Sequence, residues 1–316
     1  MVTPLRGRDE LDVEGLERLI EHILNGGVNG LFILGTTGEG PSLGYRLRRD
    51  LIERTCRQVR TRVPVLVGIT DTAFIESVNL ARHAAAAGAD ALVLAPPFYF
   101  PEGQPELQEY LDHLVAELPL PLFLYNMPAN TKVHYGSGAL RRAMENPHVI
   151  GLKDSSGDMS YFQHALGLLK RRPDWSLLIG PEELLADAVS AGGHGGVPGG
   201  ANVFPKLYVQ LCAAAGNGDA ARSRELHAQV MRISSSLYQI GRHPSAIIKG
   251  IKCALACLGV CDDFMAEPFH RFRSEERARV QHCLPELTAQ VESLISNHQP
   301  QSCAVSTRAA RSVSGA

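Results

Sequence analysis

The chain has 316 residues, 45% of them hydrophobic and 20% charged, with 31 basic side chains against 33 acidic ones and a net charge of −2. That length and balance exclude a small disulfide scaffold and long disorder, and they leave no basic surface for a polyanion, so nucleic acid is not an expected partner. No apolar stretch reaches the roughly 18 residues of a membrane span, and the first ten residues lack a signal peptide's basic-then-apolar order. Seven cysteines, an odd number scattered from Cys56 to Cys303, read as reduced thiols. The expectation is a cytoplasmic protein without a membrane partner.

In chain order, the first candidate strand is Val2-Thr3-Pro4, which looks truncated: either the start lies upstream, or a sheet closes with a short strand there. Six nearly continuous apolar runs follow, beginning at Leu31, Val63, Ala91, Leu120, Val149 and Leu177, 28 to 32 residues apart. Stretches of helical periodicity, such as 43–60 and 74–87, lie between them. Strand then helix, repeated, is the grammar of a parallel sheet covered on both faces. The period, and the absence of a GxGxxG turn after the early strands, favour an eightfold βα (TIM) barrel over a doubly wound sheet. A seventh strand is expected at 194–198, leaving Val2-Thr3-Pro4 as the eighth.

From Asp219 onward helical spacing takes over, at 221–237, 245–258 and 274–296. The expected organisation is a barrel over 1–218 carrying the active site, a C-terminal helical domain over 219–298, and a disordered tail over 299–316.

Active sites of such barrels lie at the C-terminal ends of the strands, so the residues closing each apolar run are the candidates. Lys153 stands out, because among six lysines and 25 arginines it alone ends a buried apolar run, Val-Ile-Gly-Leu-Lys. Burial disfavours an ammonium, and the neutral amine is the form that attacks a carbonyl to make a Schiff base. The alternative is a lysine that reaches water or pairs with Asp154. Tyr125 closes the preceding run, where a phenol could exchange protons with a carbinolamine or simply be packed with its hydroxyl satisfied. Thr36 and Thr37, flanked by glycines, offer hydroxyls and backbone N–H groups suited to a carboxylate. Cys253, Cys257 and Cys261 are spaced as if on one helix face, but their apolar surroundings and the lack of a fourth ligand read as core and not as a metal site. The twelve histidines show no HxH or HExxH arrangement.

Taken together, Gly-Thr-Thr-Gly-Glu at Gly35, Pro-Pro-Phe-Tyr at Pro96, Tyr-Asn-Met-Pro at Tyr125, Gly-Leu-Lys-Asp-Ser-Ser-Gly-Asp at Gly151 and Gly-Gly-His-Gly-Gly-Val at Gly192 resemble the dihydrodipicolinate synthase and N-acetylneuraminate lyase family. The resemblance runs from about Val2 to Ser296 and implies an eightfold barrel with a C-terminal helical extension, usually a homotetramer built as a dimer of dimers. It implies a Schiff base between Lys153 and a 2-oxo acid, with Tyr125 as the acid/base phenol. Thr36 would bond Tyr125 and, with Thr37, hold the carboxylate. Tyr99 would complete the proton relay of a neighbouring subunit, and the backbone carbonyls of Gly180 and Val197 would line the pocket.

Two departures bear on the substrate. Asn130 stands where dihydrodipicolinate synthases carry an arginine that clamps the carboxylate of aspartate semialdehyde, and an amide does not replace a bidentate guanidinium. Glu182 and Glu183 are loosely similar to the Gly-x-Asp-Glu segment with which related lyases bind hydroxyls of the second substrate. The alternative is that both acids simply open the next helix. The expected function is a class I aldolase joining or cleaving a 2-oxo acid, pyruvate as donor and a polar aldehyde as acceptor, with no metal and no cofactor beyond the imine on Lys153. The acceptor would be of the 2-oxo-3-deoxy sugar acid or 4-hydroxy-2-oxoglutarate type. Alternatives are dihydrodipicolinate synthase proper, a dehydratase of the family, and a non-catalytic 2-oxo-acid-binding paralogue.

Overall fold

A computed structural model describes residues 1–296; the expected tail lies outside them. A hairpin of β1 (Leu5–Gly7) and β2 (Glu10–Leu11) leads into α1 (Val13–Asn25), whose first turn is capped by Asp12 accepting from Gly15 N at 3.0 Å. Then β3 (Leu31–Ile33), α2 (Tyr45–Val59), β4 (Val65–Gly68), α3 (Phe74–Ala86), β5 (Ala91–Leu94), α4 (Gln104–Val115) and β6 (Leu122–Asn126) alternate. The single turn α5 (Pro128–Thr131) and α6 (Ser137–Glu145) precede β7 (Val149–Asp154), α7 (Met159–Leu168), β8 (Ser176–Ile179), α8 (Leu185–Ser190) and β9 (Gly195–Gly196). Helices complete the described chain: α9 (Pro205–Gly216), α10 (Ala220–Ile233) with a π-helical turn (Ser234–Tyr238), α11 (Ala246–Cys257) and α12 (Ser274–Ser296).

Strands β3 to β9 pair in sequence order in one parallel sheet, the staves of a TIM barrel. The alternation of side chains along each strand divides the apolar residues into two cores. Leu122, Leu124, Val149, Leu152 and Leu177 point outward and pack under the helices. Phe32, Val93, Phe123 and Tyr125 point inward and fill the barrel. Each helix contributes a matching stripe, as in α2, where Leu47, Leu51, Ile52, Thr55 and Val59 are buried. Burial of one such leucine is worth about 1.5–3 kcal/mol.

The eighth strand differs from expectation. Val2-Thr3-Pro4 forms no ladder, and β1 next to it pairs only with β2. The segment instead bridges the two edges of the sheet by single bonds: the Met1 amino group donates to Phe32 O on β3 at 2.6 Å, and Val2 N donates to Asn202 Oδ1 beyond β9 at 2.9 Å. Pro4 has no N–H to extend a ladder, and on the β9 side an amide side chain takes the place of a strand partner.

Candidate active site

The site begins with the register between β6 and β7. Leu122 pairs with Val149 but Phe123 pairs with Gly151, so Ile150 is an extra residue, a bulge in β7. From there Tyr125 lies beside Lys153 and Asn126 beside Asp154. Since a one-residue slip reverses the faces of a strand, the bulge sets Lys153 on the inner face next to Tyr125. Gly151 is required here: a Cβ would come within 2.3 Å of the Phe123 ring and 2.5 Å of Ser176 O.

Lys153 is 8% exposed, its Nζ 4.0 Å from the centroid of the Tyr125 ring and 5.0 Å from that of Phe32. The two rings meet edge to face, 6.0 Å apart. The pairing with Asp154 that the sequence left open is not made. Asp154 faces outward, and its carboxylate accepts from Asn126 Nδ2 at 2.8 Å and from the backbone N and Oγ of Ser156 at 3.0 Å each. Lys153 is a buried cation held against aromatic faces.

Tyr125 is the electrostatic partner. Burial alone would raise its phenol, but the Lys153 charge, with hydrogen bonds involving Thr36, Ser155 and Lys153, outweighs burial and holds it below the ordinary value of 10.0. Thr36 Oγ1 lies 3.0 Å from the Tyr125 hydroxyl. A phenol so placed gives up its proton more readily than a free one.

The remaining candidates fall into three groups. Thr37, half-buried next to Thr36, and the half-buried Gly180 and Val197 close the barrel mouth, with Gly180 N donating to Asp154 O and Val197 N to Ile179 O. Gly180 leaves room for Ser155, whose Oγ would lie 1.8 Å from any Cβ there. Tyr99 and Asn130 stand apart. Tyr99 is 76% exposed and stacks edge to face on the exposed Phe100 at 5.0 Å, while Asn130 is exposed on α5.

The acidic pair after β8 opens a 3₁₀ turn (Glu182–Leu184) that leads into α8, as the second reading of the sequence has it, and Glu182 does more besides. Glu182 is buried, and its oxygens are taken within the protein: Oε1 accepts from the hydroxyls of Tyr208 and Tyr238, Oε2 from Gly200 N at 2.7 Å. Burial, partly offset by these bonds, raises its carboxyl above the ordinary 4.5. With three protein donors on its buried oxygens, Glu182 ties the turn after β8 to Gly200, to Tyr208 of α9 and to Tyr238 of the π-helical turn. Glu183 is half-buried and accepts from Ser234 Oγ at 2.5 Å through one oxygen only.

Other groups gave little signal in the sequence. Phe32 lines the site but reads as any residue of an apolar run. Glu39, the last residue of Gly-Thr-Thr-Gly-Glu, is buried in an ion pair with Lys252 of α11. Cys261 does not share a helix face with Cys253 and Cys257, because α11 ends at Cys257. Burial pushes the Cys253 and Cys261 thiols up to about 12, which makes them inert at neutral pH.

A βα barrel that presents a buried lysine and a phenol on the C-terminal ends of adjacent strands has the architecture of an enzyme. The chain belongs to the dihydrodipicolinate synthetase family, whose sequence model matches residues 1–287. A relative from Roseobacter denitrificans called 4-hydroxy-tetrahydrodipicolinate synthase is 31% identical over 280 residues, covering 89% of this chain and 94% of the relative. A dihydrodipicolinate synthase structure from Bacteroides thetaiotaomicron is 55% identical, covers 90% of this chain and 96% of its own, and superimposes with a TM-score of 0.88. YagE of E. coli K12, a prophage protein solved in complex with pyruvate, is 27% identical over 91% of this chain and 96% of its own, with a TM-score of 0.84. The chain is thus a lyase of the aldolase type. No helix among the described residues is long and apolar enough to cross a membrane.

Proposed function

We propose that this protein is a class I aldolase that binds a 2-oxo acid of the pyruvate type as an imine on Lys153 and joins it to, or cleaves it from, a polar aldehyde. The observation that supports this most is the buried Lys153 amine, which pairs with no carboxylate among the described residues and lies 4.0 Å from the centroid of the Tyr125 ring. Once Lys153 has given up its ammonium proton, the Nζ lone pair attacks the ketone carbon while the ketone oxygen takes the Tyr125 proton, and the attacking nitrogen then returns a proton to the Tyr125 phenolate, giving a neutral carbinolamine. A second proton passed from Tyr125 to the carbinolamine hydroxyl expels it as water and leaves the iminium. The iminium then draws electrons from the neighbouring carbon, which loses a proton and attacks the aldehyde as an enamine. Thr36 steadies the Tyr125 hydroxyl, and Thr37 with the backbone of the same turn holds the carboxylate. The Gly180 and Val197 carbonyls border the pocket, and the free oxygen of Glu183 accepts from an acceptor hydroxyl. No cofactor enters this sequence of steps.

The exposed aromatic pair Tyr99 and Phe100 supports an oligomer in which Tyr99 reaches a neighbouring copy's site, because such rings are seldom left in water without a partner. A second reading, 4-hydroxy-tetrahydrodipicolinate synthase, is favoured by the name its relatives carry. Against it stands Asn130, a neutral amide where the family resemblance calls for a guanidinium.

The test of imine chemistry is exchange of the methyl protons of pyruvate in deuterium oxide, followed by proton NMR. Wild type should catalyse exchange and Lys153→Ala should not; exchange in both would overturn the role of Lys153. Side-by-side assay of aspartate semialdehyde, 2-oxo-3-deoxy sugar acids, 4-hydroxy-2-oxoglutarate and N-acetylneuraminate then separates the acceptors.

A further inference from the structure

The turn that carries Thr36 and Thr37 is held from outside the barrel. Glu39 N donates to Thr36 O at 3.0 Å, closing the turn, and Glu39 itself adopts a left-handed backbone with φ 56°. That conformation is disfavoured for a residue with a Cβ, so something must hold it. Its side chain passes into the C-terminal helices. Oε1 pairs with Lys252 Nζ, and Oε2 accepts from Ala266 N at 2.8 Å. Lys252 also donates to Phe264 O at 2.6 Å and is fully buried on α11.

We propose that the Lys252–Glu39 ion pair positions the Thr36 hydroxyl against Tyr125, making the C-terminal helices part of the catalytic framework. This inference rests on the imine reading above. The connection is short: α11 fixes Lys252, Lys252 fixes the Glu39 carboxylate, and three residues earlier in the same turn Thr36 Oγ1 meets the phenol beside Lys153. Without the pair, only the Ala266 bond and the turn's own backbone bonds oppose relaxation of Glu39 to a negative φ, which rotates the turn and withdraws the hydroxyl. Displacements of about 1 Å in such groups cost roughly a hundredfold in rate. Both residues are positioning residues, since neither touches the reacting atoms.

The experiment uses the full chain with Glu39→Gln and Lys252→Met combined, so that no buried charge is orphaned. Glu39→Asp is the second variant; it keeps the charge and tolerates a left-handed backbone but shortens the reach by one methylene. Both should still be trapped by pyruvate and borohydride. The combined variant should lose about a hundredfold in kcat with a smaller change in KM. The pH–rate limb belonging to Tyr125 should move upward, because the Thr36 hydrogen bond that lowers it is weakened. Glu39→Asp should show the same pattern to a smaller degree. In a Thr36→Val background neither change should cost much more, since both act through that hydroxyl.

Wild-type kcat and an unmoved pH limb in the variants, or losses that add fully to that of Thr36→Val, would overturn the positioning role alone. An absent adduct on the wild type would overturn the imine reading and the positioning role with it.

Discussion

Two lysines of this chain are buried, and they are treated in opposite ways. Lys252 is 0% exposed on α11 and is satisfied by the Glu39 carboxylate and the Phe264 carbonyl. Lys153 is 8% exposed at the end of β7 and faces the rings of Phe32 and Tyr125, while the nearest acid in sequence, Asp154, is turned away and occupied. A buried charge normally needs a partner of opposite sign. The lysine that has one serves the scaffold. The lysine that lacks one is balanced by ring faces and by a phenol that ionises more readily because of it.

The largest effect should follow from removing Lys153. Lys153→Ala should reduce turnover about ten-thousandfold or more in a steady-state assay, as losses of covalent nucleophiles do. The same comparison predicts a titration: with the Lys153 charge gone, burial dominates at Tyr125, so in Lys153→Met its phenol should titrate at higher pH. Difference absorbance against a Tyr125→Phe reference checks this, and an unmoved or lower titration would contradict the coupling. Tyr125→Phe in the wild-type background should cost about a hundredfold to ten-thousandfold in kcat, the range for a lost acid/base group, while leaving thermal stability nearly unchanged.

On the other side of the comparison, Lys252→Met alone should act on stability. Orphaning the buried Glu39 carboxylate should cost about 3–5 kcal/mol in urea unfolding, with most of that recovered when Glu39→Gln is added. Equal costs for the single and combined changes would show that the two residues do not act as a pair.

The smallest effect concerns the second buried acid. Glu182→Gln should cost about 1–3 kcal/mol by misaligning one of three donors. Its carboxyl is raised in the folded state, so its contribution is fully present below the unfolded value near 4.5 and fades as pH rises through the higher folded one. The advantage of wild type over Glu182→Gln should therefore shrink with rising pH, measured by unfolding at several pH values. A widening gap would reverse the assignment.

The barrel was legible because period and apolar runs are local features, and Lys153 because a lysine ending an apolar run is conspicuous in a chain with few lysines. What stayed hidden depends on distance and register. Lys252 and Glu39 are 213 residues apart in sequence, and within α11 the lysine sits among Ile251, Cys253 and Ala254, which read only as core. Glu182 finds its tyrosines 26 and 56 residues downstream, so the sequence offered only a helix opener or a substrate ligand. Which face Phe32 takes is decided by pairing, and the bulge at Ile150 that turns Lys153 inward leaves no trace in apolar spacing. Val2-Thr3-Pro4 reads as a strand by composition, yet single hydrogen bonds take the place of its ladder.

The measurement that bears most directly on the contrast between the two lysines is peptide mapping after incubation with pyruvate and borohydride. A reduced pyruvate adduct on Lys153 and none on Lys252 is the predicted result, with Lys153→Ala unlabelled. An adduct on another lysine, or undiminished labelling of Lys153→Ala, would contradict the account.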